Sequence, residues 1–449
     1  RDLDLDLDWI DPPVAMAHVL AEGGEAIALH RDLAATARSL DACTPGAGAA
    51  WRDLIQTLWP HREALVRAGL GRLPPVRPLA SLLAGLRLKT VKLAPLALAP
   101  SAVVGRRLLR DDRAAAWLAG SGAHADLSPR SAGSGAIALA LNFLAHVVGW
   151  PFPRGGAGRL TDALVARLQA CGGQLRCAAA AEQIELRGGR VAAVRLRGGE
   201  RVPAAAVICT ASPAPLLSLL RRGALPGRLE RRLRSWRYGL GTLKLDYALS
   251  GPVAWRSDVA RQAGVVHVGG ALGEIIRSLE QAGGARFPDR PTLVVGQQSL
   301  HDPSRAPAGR QALYVYARVP QEPELEEAEM GARVERQIER FAPGFGELVL
   351  ARSIRGPKAI EAENPSMRGG DLASGSCKLD QQVVLRPALE LCRGRTPLRG
   401  LYVAGAWVHP GPGVHGVSGA AAASAVLADE ARRGAVRRPT AQARAAGPS

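Results

Sequence analysis

The chain has no Cys-x-x-Cys pair; its six cysteines stand at 43, 171, 177, 209, 377 and 392. Over 449 residues that spacing argues against a zinc ribbon or a disulfide scaffold. It predicts reduced, mostly buried thiols and a cytoplasmic protein. There is no run of about 18 uncharged apolar residues, so no transmembrane helix is expected. No signal peptide is visible, and the first residue is Arg1 rather than Met, so the sequence is expected to begin inside a longer product or at an unusual start. Aromatic residues are only 4% and are not interleaved with basic ones, so the stacking platforms of nucleic-acid binders are missing. The formal charge of +18 comes from arginines scattered over many segments. Scattered charge favours solubility and weak anion affinity, and no nucleic-acid partner is expected.

What is present is an ordinary globular balance, 47% hydrophobic and 22% charged, in a chain long enough for two or more domains. Arg1 to Asp8 alternates leucine with aspartate, which predicts a half-exposed strand. Its four aspartates read as a solvated face rather than a metal site. Glu25 to His30 reads as a strand, Asp32 as the cap of a helix, and Trp51 to Leu70 as an amphipathic helix. Between Glu63 and Asp111 no acidic residue occurs, while Arg67, Arg77 and Arg106 and the leucines from Leu82 to Leu98 do. A basic, leucine-rich segment predicts peripheral membrane contact through 82–98 or a cover over an apolar channel. The bland alternative is a pair of surface helices whose Arg stems cover the core. Ala114 to Gly149 reads as two helices broken around Ser121 to Pro129, with Gly133-Ser-Gly135 as a helix entry.

From Pro153 the pattern changes. A turn at Gly155, Gly156 and Gly158 precedes a helix over Leu160 to Ala170. Strands follow at 174–177, 181–186, 190–196 and 201–209, with Gly188-Gly189 and Gly198-Gly199 as hairpin turns. Thr210-Ala-Ser-Pro213 caps a further helix. Strands are expected at 243–249, 292–298, 312–319 and 352–358, a helix at 330–341, and a long loop from Glu361 to Gln382. The tail from Ala431 lacks core-forming residues and is expected to be disordered.

The stretch from Leu401 to Leu427 organises the rest. Leu401, Tyr402 and Val403 form a short apolar strand, and Gly405 and Ala406 strip side chains from its exit. A Gly- and Pro-rich turn leads to a helix of small residues from Val417. Strand, glycine turn and helix N-terminus place N–H groups and a positive dipole end at one spot, a cradle for an electron-rich ligand. The turn spells Gly411-x-Gly413-x-x-Gly416, a dinucleotide fingerprint. Four residues separate it from the strand, however, and no second strand with an acid about 20 positions on follows it. His409 and His415 flank the turn without a metal-binding spacing, and no metal is expected.

Taken with four further motifs, this stretch resembles the phytoene-desaturase-like FAD-dependent oxidoreductases of the flavin amine-oxidase superfamily. The motifs are Pro153-Arg-Gly155-Gly156, Asp302-Pro-Ser-Arg-Ala-Pro307, Phe341-Ala-Pro-Gly-Phe345 and Gly369-Gly370-Asp371. They are collinear over most of the chain. The resemblance implies an α/β fold: an interrupted Rossmann-like FAD-binding domain, with an interleaved α+β substrate domain and the N-terminal βαβ element missing. The implied layout is 1–150 as a substrate-side helical cap, 151–215 and 385–430 as FAD-binding parts, 216–384 as the substrate domain and 431–449 as tail. FAD is the implied cofactor, and dehydrogenation or isomerisation of an apolar, polyene- or lipid-like molecule the implied reaction.

By resemblance, Gly405 and Ala406 approach the ribityl-phosphate backbone. Gly413, Val414, His415 and Gly416 present N–H groups to the isoalloxazine edge. Gly155 and Gly156 lie near the flavin face, Ala181 faces adenine through its backbone, and Thr210 follows a strand beside the nucleotide. A reduced flavin carries negative charge at its pyrimidine edge, which helix-end N–H groups stabilise. If hydride moves from a C–H to the flavin, positioning suffices, and no catalytic side chain is named. A flavin amine oxidase is the alternative enzyme; it needs an aromatic cage, for which Trp407 and Tyr402 are available. The other alternative is a cofactor-free binding protein for a lipid or partner.

The family's N-terminal Gly-x-Gly-x-x-Gly strand and its ribose-binding acid are not in this sequence. If the sequence is the whole product, little FAD binding and an exposed apolar edge beside Leu401 to Val403 are expected.

Overall fold

Alternating Val, Leu and Ala segments from two distant parts of the chain meet in one large sheet. The computed structural model describes residues 5–71, 75–86 and 89–436. The first strands in chain order are β1 (Trp9–Ile10), β2 (Val14–Val19), β3 (Ala26–Leu29) and β4 (Phe152–Pro153). Then come β5 (Ala181–Arg187), β6 (Arg190–Leu196), β7 (Arg201–Pro203) and β8 (Val207–Cys209). The series ends with β9 (Gly241–Leu249), β10 (Ala263–Val268), β11 (Leu293–Gly296), β12 (Gln311–Val319), β13 (Val349–Arg355) and β14 (Leu401–Val403).

Among the described residues these make four sheets. The largest has seven strands in the order β13-β9-β12-β11-β10-β2-β3. Its ladders are antiparallel except for β10 with β2. The N-terminal segment thus completes a sheet whose other strands come more than 200 residues later.

Period-two alternation decides the faces of this sheet. Leu243, Leu245, Tyr247 and Leu249 of β9 and Leu313, Val315, Ala317 and Val319 of β12 pack on Met330, Val334 and Ile338 of the helix Glu327–Glu339. Burying each such Leu or Val contributes roughly 1.5–3 kcal/mol. The other face is mixed: Met16, Ile27 and Leu29 pack in a second apolar cluster, and a polar seam runs beside them. Beneath the helix Asp112–Gly122 lie His18 of β2, His267 of β10, and Tyr316 and Arg318 of β12, with His124 just past the helix end.

In that seam Tyr316 Oη is 2.8 Å from His124 Nδ1, and His124 Nε2 is 2.9 Å from His267 Nε2. His18 Nε2 donates to Gly270 O at 2.9 Å. Arg318 donates to Thr242 Oγ1 and to His124 O. Gly120 makes the approach possible, since a Cβ there would sit 2.6 Å from His18 Nδ1. Burial pushes the His18 and His124 imidazoles down to about 4, His124 also being disfavoured as a cation by Arg318. His267 falls well below its ordinary value through burial and its two histidine neighbours. The seam is built for neutral imidazoles.

The rest of the chain forms smaller units. β8 and β14 pair in parallel, with Leu401, Tyr402 and Val403 opposite Val207, Ile208 and Cys209. β5, β6 and β7 form a three-stranded meander, turning at Gly188-Gly189 and Gly198-Gly199. Helix caps follow the sequence: the Asp32 carboxylate accepts from Ala35 N, Asp111 from Arg113 and Ala114 N, and Gly133 enters Ser134–Val148 in the left-handed region. No described helix is long and apolar enough to cross a membrane.

Several sequence expectations are corrected here. Residues 5–8 are not a strand, and 1–4 lie outside the described residues; only Trp9 and Ile10 find a partner strand. Asp8 instead pairs with Arg154. Alternation supplies an amphipathic face, but a ladder needs a neighbour. The same holds for 174–177, which is irregular. The segment 201–209 is split by Ala204 to Ala206 into strands of different sheets. The strand expected at 352–358 stops before Pro357, which opens the helix Pro357–Glu363. That helix occupies the start of the expected 361–382 loop. The C-terminal helix runs on to Val436, past the expected start of the tail, and 437–449 lies outside the described residues.

The basic segment folds as the helices Val76–Leu86, Lys89–Leu98 and Ser101–Leu109. Leu82 and Leu86 turn inward while Val76, Leu79 and Leu83 face solvent.

Candidate functional site

The C-terminal cradle forms as strand, turn and helix. β14 is fully sheathed, with Leu401, Tyr402 and Val403 all buried. Gly405 follows at φ +106°, and a Cβ there would lie 2.9 Å from Thr210 O. Glycine is therefore required both by conformation and by the strand beside it. Gly405 N donates to Ser418 Oγ at 3.1 Å, tying the strand exit to the start of the helix Val417–Val436. His415 closes the turn between them: Nε2 donates to Gly411 O at 3.2 Å and Nδ1 accepts from Val417 N at 3.1 Å. Both ring nitrogens serve the backbone, so His415 is a turn-forming residue.

A cavity of about 610 Å³ lies against this helix start. Its walls include Gly416, Val417, Ala420 and Ala421 of the helix start, Leu70 and Gly71, and Arg393 and Arg395. His409 Nε2 donates to Gly71 O at 3.1 Å, holding the end of the helix Arg62–Leu70 over the turn. Among the described residues a Cβ at Gly416 or Gly419 would meet nothing within 4 Å, so none of them covers the backbone at the helix start. The first-turn N–H groups of a helix have no intrahelical partner, and they carry the positive end of its dipole. Among the described residues, His409 Nδ1 is buried at this wall with no hydrogen-bond partner. A thin-walled cavity, an open helix start and an unpartnered ring nitrogen fit the ring end of a flavin.

Of the residues singled out from the sequence, the structure brings together Thr210, Gly405, Ala406, Gly413, Val414, His415 and Gly416. The Val414 side chain is 90% exposed. Gly155 and Gly156 join another cluster. The Asp302 carboxylate, fully buried, accepts from Gly155 N at 2.7 Å and from Ser304 Oγ at 2.6 Å, and Arg305 lies over Gly156. Burial works against the charge of Asp302, but the Ser304 hydroxyl and the Gly155 and Ser304 amides hold its carboxyl below the usual range. Ala181 lies at the exposed start of β5, opposite Leu196.

Two expectations about this region are corrected. The outer edge of β14 is not bare: Val403 N donates to Gly394 O at 2.8 Å, and Arg395 bridges to Tyr402. Nor do Trp407 and Tyr402 form an aromatic cage. Trp407 is fully buried in the core, and the Tyr402 hydroxyl donates to Asp429 at 2.9 Å. No group of three His, Cys, Asp or Glu among the described residues could hold a metal ion.

Sequence reasoning passed over Ser418 and Arg386. Ser418 carried a signal, a hydroxyl at the start of a helix. Arg386 carried none, being one of 58 Lys and Arg residues and buried only by tertiary packing.

Comparison with known proteins agrees with this arrangement. Residues 96–427 match the family of flavin containing amine oxidoreductases. The rat pyridine nucleotide-disulfide oxidoreductase domain-containing protein 2 is 28% identical over 329 residues, 67% of this chain and 56% of that protein. The zeta-carotene-forming phytoene desaturase of Myxococcus xanthus is 30% identical over 231 residues, 51% of this chain and 42% of that enzyme. The chain thus spans about half the length of these curated relatives. Among solved structures, an oxidoreductase of Methanosarcina mazei superposes with a TM-score of 0.58 at 14% identity, covering 95% of this chain and 83% of its own. A redesigned putrescine oxidase gives 0.59 at 14%, covering 96% and 84%. These likenesses show the fold. With the family matched over most of its length, the chain belongs to the flavin containing amine oxidoreductases, FAD-dependent enzymes of the amine-oxidase superfamily.

Proposed function

We propose that this chain is the flavin-ring and substrate-binding part of an FAD-dependent oxidoreductase that takes hydride from an apolar, polyene- or lipid-like molecule. The observation that carries the reading is the cradle at 401–417, where Gly405 is forced by Thr210 and an open helix start faces a cavity. FAD, when bound, supplies the hydride acceptor. The chain's own part is to orient and to exclude water. Gly405 and Ala406 admit a ligand to the strand exit, and the positive end of the helix Val417–Val436 favours negative charge at its start. The end of the helix Arg62–Leu70, held by His409, covers the cavity. Hydride leaves one carbon for the flavin and a proton leaves its neighbour for solvent as the double bond forms; no side chain is assigned as the acceptor of that proton, and the chain's contribution is to hold donor and acceptor in line.

The carotenoid desaturases among the relatives support an apolar substrate, and the burial of Trp407 and Tyr402 weighs against an amine. Anaerobic reduction of the bound flavin decides between them. Bleaching by a polyene, and not by primary amines, is expected; bleaching by amines alone would establish the amine oxidase. A chain that takes up no FAD but retains lipid would be a binding protein. We also propose a peripheral membrane contact through 82–98, supported by exposed Val76, Leu79 and Leu83 beside Arg67 and Arg77. Salt-sensitive flotation with anionic vesicles is the expected result, and no flotation would retire it.

A further inference from the structure

Arg386 is fully buried yet, among the described residues, meets no carboxylate directly. Its donors go to backbone carbonyls instead: Nη1 to Ser376 O at 3.1 Å, Nη2 to Ala373 O at 3.0 Å and Gly375 O at 3.2 Å, and Nε to Ala406 O at 3.0 Å. Its own carbonyl accepts from His409 N at 3.1 Å. Trp236 lies under the guanidinium, 5.7 Å from ring centroid to Cζ. Gly411 gives it room, since a Cβ there would be 3.2 Å from Nε.

The carbonyl nest is itself constructed. The buried Asp371 carboxylate accepts from the amides of Gly239, Ala373 and Gly375 at 2.8, 2.8 and 2.6 Å. It curls 371–375 so that the carbonyls of Ala373 and Gly375 turn to Arg386. Asp126 secures the next residues, accepting from Ser376 Oγ and Cys377 N. The motif Gly369-Gly370-Asp371 and the cradle turn, separate in sequence, are therefore joined by one side chain.

We propose that Arg386 is the positioning residue of the cradle: its planar fork locks the 373–376 loop to Ala406 and so fixes the 405–416 backbone in the form that receives a flavin ring. This rests on the flavin reading for its functional consequence. The structural claim stands on the fork alone. A planar donor set serves four carbonyls in three directions, which the single ammonium of lysine cannot reproduce.

The test uses the full chain with Arg386→Lys and Arg386→Met, read by amide hydrogen exchange and by FAD titration. In Arg386→Lys, exchange is expected to rise at least tenfold at 405–416 and 373–376, with the seven-stranded sheet unchanged. FAD affinity is expected to fall about tenfold, or about 1.4 kcal/mol. Arg386→Met should lose more of both; if it does not fold, the lysine variant decides. Unchanged exchange at 405–416 in the lysine variant overturns the proposal, as does faster exchange there with full FAD affinity. If the unaltered chain takes up no FAD, the flavin reading of this chain fails, and the exchange measurement alone decides whether Arg386 fixes the turn.

Discussion

The seven-stranded sheet and the two-stranded β8–β14 pair solve the same problem at different scales. The large sheet draws its strands from 14–29 and 241–355 and buries a hydrophobic face and a histidine seam of its own. The small pair spans three residues per strand and depends on neighbours for everything else. The meander, the 394–395 turn and the helix Val417–Val436 cover it. The difference teaches where stability and function are separable. Overpacking the seam should lower global stability, whereas substitutions at the β14 exit should act first on the cradle.

The largest effect is expected at the seam. Gly120→Val forces a Cβ to within 2.6 Å of His18 Nδ1 and 3.3 Å of His267 Nδ1, against two buried rings. Overpacking of this kind costs typically 1–3 kcal/mol and more where nothing yields. The thermal midpoint of Gly120→Val should drop by many degrees; an unchanged midpoint would show that the seam is loose.

Acid should act on the same place. In the folded state the imidazoles of His18 and His124 lie near 4, below the 6.5 of an unfolded chain. Below pH 6.5 the unfolded chain binds protons that the folded chain refuses, so stability is full above 6.5 and falls as pH drops toward 4. A shift of that size corresponds to roughly 3 kcal/mol per histidine. Urea unfolding at pH 7 and pH 4.5 measures it, and His124→Gln should flatten the dependence. An equal slope in that variant would place the acid sensitivity elsewhere.

At the small pair the order of effects reverses. Gly405→Val places a Cβ 2.9 Å from Thr210 O at φ +106°. It should abolish flavin retention at a stability cost of about 1–3 kcal/mol. Loss of global folding, with the unfolding midpoint lowered as far as in Gly120→Val, would erase the contrast. Ser418→Ala removes the acceptor for Gly405 N and should cost about 1 kcal/mol, read by denaturant unfolding. Val414→Ser is the smallest change. With the side chain 90% exposed, stability should stay within about 0.5 kcal/mol and FAD affinity should hold. A lost affinity would mean that the valine side chain, not only its backbone, meets the ligand.

Much of the fold was legible because local chemistry and tertiary structure agree. The caps at Asp32 and Asp111, the hairpin glycines and the alternation in β9 and β12 each act within a few residues. Pairing was not legible. Leu3, Leu5 and Leu7 alternate as cleanly as β12, yet 5–8 forms no ladder, while β2 pairs in parallel with a strand some 250 residues on. The cradle was legible from Gly405 to Gly416 because backbone conformation demands glycine there. The Arg386 fork was not, because a buried arginine has the same letter as an exposed one.

By itself, the sequence determined part of the local grammar of this protein: which side chains cap its helices, and where the chain must turn without side chains. These are set by steric limits on φ and ψ and by caps within reach of their own helix. Tertiary structure alone decided which strands became neighbours, which histidines lost their solvent and which arginine joined two distant loops. Burial and hydrogen-bond satisfaction are properties of segments brought together, and no window of the sequence contains both partners.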